Sequence, residues 1–160
     1  MKQIITDAMK KKKKLIEGNV ALLVIDIQGK SVEYLTNGNI DGLPLEGYLH
    51  IIPHAKTVIE ACREAGIPVV YTQEWHRSSL VDFGRETDGS EGIHLLEDSD
   101  DVEIVEEVKP LPGECVVRKT RYDCFLGTEL EYCLNGLGVF PGDTLIIIGS
   151  LTNVCIHYSA

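Results

Sequence analysis

Leu145 to Ile148 (LIII) form an apolar, mostly β-branched run, with Gly142 before it and Gly149 after it. A strand buried on both faces of a parallel sheet is written this way, and such a strand obliges the chain to supply neighbouring strands and helical layers. Three further stretches answer that demand. Val20 to Gln28 (VALLVIDIQ), Ile67 to Thr72 (IPVVYT) and Glu114 to Lys119 (ECVVRK) read as strands. Between the first two, Ile51, Ile52, Ala55, Val58, Ile59, Cys62 and Ala65 recur at helical spacing within Tyr48 to Ala65, and Gly66 ends the pattern. Thr128 to Glu131 (TELE) reads as a capping box opening a helix with Leu130, Leu134 and Leu137 inward. Strands alternating with helices predict an α/β fold, a three-layer, mostly parallel sheet with helices on both faces.

The polar residues of interest stand where these strands end. In open parallel sheets the ligand crevice lies at the carboxyl ends of the strands, so Asp26, Lys119 and Cys155 are candidates by position alone. After Gly149, Ser150, Thr152 and Asn153 supply capping residues, and Val154 to Tyr158 open a helix with Cys155 in its first turn. The dipole there favours a thiolate, which predicts a nucleophile of lowered pKa; a small buried hydrophobe would suit the same position. Together the three make chemical sense: Asp26 takes the thiol proton and returns it to a leaving amine, Lys119 stabilises the thiolate, and Cys155 attacks a carbonyl. Backbone N–H groups of the turn before the final helix can receive the oxyanion. A buried Asp–Lys ion pair beside an inert cysteine is the plainer alternative.

The second strand ends in Gln73-Glu74-Trp75-His76, where extended chain projects Glu74 and His76 to one face and Trp75 to the other. Glu74 and His76 can share a metal or a substrate, or form a surface pair. Residues 29 to 47, rich in Gly and Asn, read as a long loop, and the absence of GxGxxG removes the main support for dinucleotide binding. Residues 77 to 113, polar and acidic, read as an active-site loop with a short strand or helix around Val102 to Val108.

Composition narrows the class. With 160 residues, 44% of them apolar, and no internal repeat, residues 1–160 are read as a single domain. A net charge of −10 argues against nucleic-acid binding, and no apolar run is long enough for a membrane span. Five cysteines without a CxxC spacing suit free thiols in a reducing cytosol, so the expected localisation is cytoplasmic. The basic run Lys10 to Lys14 reads as a solvated helix face.

VALLVIDIQ, VVRKTRYDCFLGTELE and IIIGSLTNVCIHYSA resemble the cysteine hydrolases of the isochorismatase-like superfamily, which includes nicotinamidases and N-carbamoylsarcosine amidases. The resemblance implies an Asp26–Lys119–Cys155 triad, an oxyanion hole from the N–H groups of Leu151 and Cys155, and a cis Ser150–Leu151 peptide, a bond costing about 3 to 4 kcal/mol. Its leading implication is hydrolysis of a C–N bond in a small amide or carbamoyl compound through a thioester acyl-enzyme, with no cofactor required. A metal-dependent nicotinamidase is the alternative. It is motivated by TQEWH and EGIHLLE, which place Glu74, His76 and His94 where nicotinamidases hold a divalent Zn, Fe or Mn ion. Against it, Glu is longer than the family's Asp, and Arg77 or Arg85 could neutralise Glu74. Relatives continue beyond the cysteine through a helix and at least one more strand and helix. The expectation is therefore a C-terminally incomplete sequence with a bare sheet edge, which adds a reason for homo-oligomers. An inactive binding or scaffold protein on the same fold is the third reading.

Overall fold

The computed structural model describes residues 15–37, 45–83 and 92–160. The Lys10 to Lys14 run lies outside them, as does Arg85. Four strands, β1 (Val20–Ile25), β2 (Val69–Glu74), β3 (Cys115–Lys119) and β4 (Thr144–Gly149), form one parallel sheet in the order β3-β2-β1-β4. The chain thus starts at the centre, builds outward through β2 to β3, then crosses back to place β4 on the other side of β1. That reversal opens a crevice at the carboxyl ends of β1 and β4, the place where such sheets bind ligands.

Alternation along the strands divides the core in two. Leu22, Val24, Val69 and Tyr71 face one layer, where they meet Leu35 and the stripe Tyr48, Ile52, Ala55, Ile59 and Cys62. Ala21, Leu23, Ile25, Val70 and Val117 face the other, with Cys124, Leu130, Leu134, Val139 and Cys155. The first layer holds α1 (Val32–Thr36) and α2 (Leu45–Glu64). Gly66, at φ +70°, ends α2 as expected: its N–H bonds Arg63 O at 3.0 Å and the Ile67 N–H bonds Cys62 O at 2.8 Å, a turn that glycine enters without steric cost. The second layer holds α3 (Leu130–Gly136).

Several expectations need correction. The stretch read as a loop over 29 to 47 contains α1, capped by Ser31, whose Oγ accepts the Tyr34 N–H at 3.1 Å. The capping box does not form: Thr128 Oγ1 accepts from Leu130 N at 3.2 Å but donates to Cys124 O at 2.6 Å, and Glu129 occupies the cap position. Leu137 follows α3 and is exposed, because the helix stops before a third turn can carry it inward. Two short 3-10 turns, Asp100–Val102 and Glu106–Val108, replace the single strand or helix, and bury Val102, Val105 and Val108. The Leu145 to Ile148 run is half-buried rather than buried, since β4 is an edge strand with β1 as its neighbour among the described residues. Finally, Cys115 on β3 and Cys133 on α3 form a disulfide, their Cα atoms 6.9 Å apart, where free thiols were expected. The strand and the helix that covers it bring together two residues whose separation of 18 carries no local signature. Cys62, Cys124 and Cys155 are free and buried.

Candidate active site

The register of the sheet brings the strand ends together. Ile25 pairs with Thr72 on one side and Gly149 on the other, and Glu74 pairs with Lys119. Strict alternation would turn Asp26 toward the α2 layer with Leu22 and Val24. Instead Asp26 has φ +51°, a left-handed conformation that aspartate tolerates better than most residues, and this breaks the pleat. Its carboxylate then meets Lys119: Nζ lies 2.6 Å from Asp26 Oδ2. The same Nζ is 3.4 Å from Cys155 Sγ and 3.7 Å from Glu74 Oε2, and donates to Arg121 O at 3.0 Å. Asp26, Lys119 and Cys155 are 7%, 1% and 4% exposed, so the cluster is largely withdrawn from water.

Burial shapes the charges. On its own it would lower the Lys119 pKa, but Asp26, Glu74 and Cys155 outweigh it and hold the ammonium above its ordinary value. Lys119 is therefore a fixed cation and no base. For Cys155 the expectation of a lowered pKa is reversed. Burial pushes the thiol up, Asp26 adds to the effect, and Lys119 opposes both without prevailing. The geometry explains the difference from the dipole argument. Cys155 lies in a wide turn, Thr152–Ile156, with Val154 at φ −121° and ψ −105°, and regular α-helix covers only His157–Ser159. No side chain caps this turn. Cys155 is thus held as a neutral thiol, with a carboxylate oxygen of Asp26 within 4.8 Å.

The Ser150–Leu151 peptide is trans, against the expectation of a cis bond. The turn closes with the Ser150 N–H on Ile25 O and with the N–H groups of Val154 and Ile156 on Leu151 O, each at 3.3 Å. The Leu151 N–H makes no hydrogen bond among the described residues.

Glu74, His76 and His94 also converge, each offering a ligand atom within 4.8 Å of the others. Both imidazole Nε2 atoms lie 3.2 Å from Glu74 Oε1, while Oε2 faces Lys119, so the extra methylene of glutamate lets one carboxylate serve both clusters. Burial would raise the Glu74 carboxyl, but His76, His94 and Lys119 together hold it well below the usual carboxylate range. Arg77 sits 3.7 Å from Asp82 rather than on Glu74. Trp75 points away as expected, beside the guanidinium groups of Arg118 and Arg77 at 4.8 and 5.9 Å.

The histidines are arranged for a cation. His94 Nδ1 is 2.6 Å from Gly92 O, a contact that needs the proton on Nδ1. A neutral His94 then aims its Nε2 lone pair at a carboxylate oxygen, which is favourable only with a proton or a metal ion between them. His76 Nδ1 is buried without a hydrogen bond and stands 3.8 Å from Asp82 Oδ1. The residues present thus fit a divalent metal.

Sequence reasoning missed Thr72, Asp82 and Phe83. Thr72 shares the period-two face of Glu74 and His76, a signal the apolar strand obscured. Its Oγ1 donates to Asp26 Oδ1 at 2.8 Å. Phe83 lies edge-on to His76 and His94, at 4.6 and 5.3 Å between ring centroids, and belongs to a loop with no periodicity to read. Two surface concavities, one lined by Arg63, Ile67 and Cys115 and the other by Phe125, Leu134 and Leu145, lie apart from these clusters.

Comparison with known proteins identifies the family. The isochorismatase domain model matches residues 20–160. Ureidoacrylate amidohydrolase RutB of Agrobacterium fabrum is 30% identical over 87% of this chain and 67% of its own length. For RutB of Rhizobium rhizogenes the figures are 29%, 87% and 62%, so the chain spans about two thirds of the length of these curated relatives. Among solved structures, an isochorismatase family protein from Desulfovibrio vulgaris superposes with a TM-score of 0.73 at 29% identity, covering 90% of this chain and 73% of that one. N-carbamoylsarcosine amidase from Thermoplasma acidophilum gives 0.66 at 26%, covering 89% and 73%. With the domain model matched over residues 20–160 and a parallel sheet covered on both faces, this chain belongs to the isochorismatase family.

Proposed function

We propose that this chain is a cysteine amidohydrolase that cleaves a C–N bond of a small carbamoyl or amide compound. The observation that carries the reading is the convergence of Asp26 just after β1, Lys119 at the end of β3 and Cys155 in the turn after β4, beside the point where the strand order reverses. Asp26 accepts the Cys155 proton as Sγ attacks the carbonyl carbon, and Lys119 offsets the charge that would otherwise build up on three buried acidic groups. The N–H groups of Leu151 and Cys155 receive the oxyanion; the unengaged Leu151 N–H supports that role. The tetrahedral intermediate collapses, the C–N bond breaks, and the nitrogen leaves with the proton held by Asp26. Water then gives a proton to Asp26 and attacks the thioester, and the acid product departs as the thiol is restored. The names of the relatives, ureidoacrylate amidohydrolase and N-carbamoylsarcosine amidase, favour a ureido or carbamoyl substrate.

A metal-dependent nicotinamidase is the second reading, favoured by the His94 geometry. Glu74, His76 and His94 would hold a Zn, Fe or Mn ion, whose chemistry there is that of a Lewis acid able to bind a substrate ring nitrogen or water. A homo-oligomeric state belongs to the same proposal, as does a cytoplasmic setting, with the Cys115–Cys133 disulfide the feature that weighs against the latter. Among the described residues no helix is long and apolar enough to cross a membrane.

Ammonia release across carbamoylsarcosine, ureido acids, biuret and nicotinamide tests the function, with Cys155→Ala as the control. Release from none of them would favour the scaffold reading. Elemental analysis of untagged protein decides the metal: less than about a tenth of an equivalent, with activity untouched by EDTA, removes it.

A further inference from the structure

We propose that Thr72 is a positioning residue for Asp26, holding the carboxylate so that one oxygen is reserved for Lys119 and Cys155; this rests on the amidohydrolase reading above. Asp26 leaves β1 with a left-handed backbone that no helix or turn enforces. Two contacts from Thr72 fix it there. The Asp26 N–H donates to Thr72 O at 3.3 Å, and Thr72 Oγ1 donates to Asp26 Oδ1 at 2.8 Å. Thr72 itself cannot turn away. It is 1% exposed in a central strand, where burial and β-branching restrict its side chain, and its residue pairs in register with Ile25.

The direction of the hydroxyl proton follows from its other neighbour. Cys124 Sγ lies 3.7 Å from Thr72 Oγ1, and its thiol can donate to that oxygen, leaving the hydroxyl hydrogen for Asp26. Cys124 is buried, and its N–H is tied to Ser159 Oγ at 3.0 Å, so this side of the threonine is fixed as well. Among the described residues Thr72 is the hydrogen-bond donor on Oδ1. Without it Oδ1 can rotate toward the Lys119 ammonium, and the carboxylate can bind that ammonium through both oxygens. The base would then be spent on the cation rather than directed at the thiol.

Thr72→Val keeps the branched shape and removes the donor; Thr72→Ser keeps the donor and removes the methyl group. The valine variant is expected to lose about 10²-fold in kcat, the cost of a misplaced catalytic group, with KM changed by no more than about threefold. The serine variant should recover most of that loss. Iodoacetamide labelling of Cys155 near neutral pH should slow in Thr72→Val and stay near the parent rate in Thr72→Ser, while near-ultraviolet circular dichroism stays parent-like in both. A valine variant within twofold of the parent in kcat overturns the proposal. If the parent hydrolyses none of the amides, the amidohydrolase reading fails by itself, and labelling still judges Thr72: equal rates in parent and valine variant would overturn it. Should Thr72→Val and Thr72→Ala both fail to fold, the residue serves the fold and the proposal is likewise overturned.

Discussion

Lys119 decides more of the site's behaviour than any other residue, because it is the cation between two buried carboxylates and a thiol. Removing one partner of such a pair usually costs about 3 to 5 kcal/mol, so Lys119→Met, which keeps the side-chain volume, is the informative change. It should abolish turnover. It should also slow the labelling of Cys155 and move it to higher pH, since Lys119 opposes burial and Asp26 at that thiol. Cys155→Ala and Asp26→Ala should each lower kcat by on the order of 10⁴-fold or more while the fold persists, as each removes a chemical step and little packing. Mass spectrometry of iodoacetamide-treated protein checks the set. If Cys124 or Cys62 carried the label, and Cys155→Ala turned over near the parent rate, the assignment of the nucleophile would be wrong.

At the scale of elements, β4 and the turn after it matter most. Gly149 ends β4 beside Ile25, and a Cβ there would lie 2.5 Å from Ile25 O and 2.9 Å from Ile25 Cβ. Both belong to the central strand and cannot give way without shifting Asp26. Gly149→Ala should therefore cost about 1 to 3 kcal/mol, several degrees in Tm for a chain of this size, and should lower activity disproportionately. Unchanged melting and kinetics would show that the two strands can separate freely. The sequence made the strands legible, because short β-branched runs between glycines have few other uses, and with them the carboxyl-end positions of Asp26, Lys119 and Cys155. The turn was not legible. Capping residues around Ser150 promised a regular helix start, yet backbone bonds to Leu151 O set a wider turn, and burial together with Asp26 raises the thiol instead of lowering it. The left-handed Asp26 and its Thr72 partner escaped for a related reason: both depend on pairing between strands 46 residues apart. Glu74, His76 and His94 were found through resemblance, and strand periodicity alone joined only the first two.

For the whole molecule, the sheet order buries a charged site at the end of an otherwise apolar core, and the cost appears in the pH dependence of stability. Burial raises the thiols of Cys155 and Cys124 and the phenol of Tyr48, and pushes Tyr71 up to about 12. Burial alone would lower Lys119, but its carboxylate neighbours raise it. All of these groups hold their protons more firmly in the fold than in the open chain. Above their ordinary values the unfolded chain carries fewer protons, so stability falls as pH rises. The contribution is complete below about pH 8, begins to be lost where exposed thiols ionise, and continues to fall through the tyrosine and lysine range. The urea midpoint should accordingly be steady between pH 6 and 8 and decline from about pH 9. Burial raises the Cys62 thiol too, so replacing Cys62, Cys124 and Cys155 together by alanine should remove the first part of that decline, whatever it does to the midpoint at neutral pH. A midpoint that held or rose up to pH 11 would mean that water reaches these groups in the fold, and the withdrawn crevice would have to be given up.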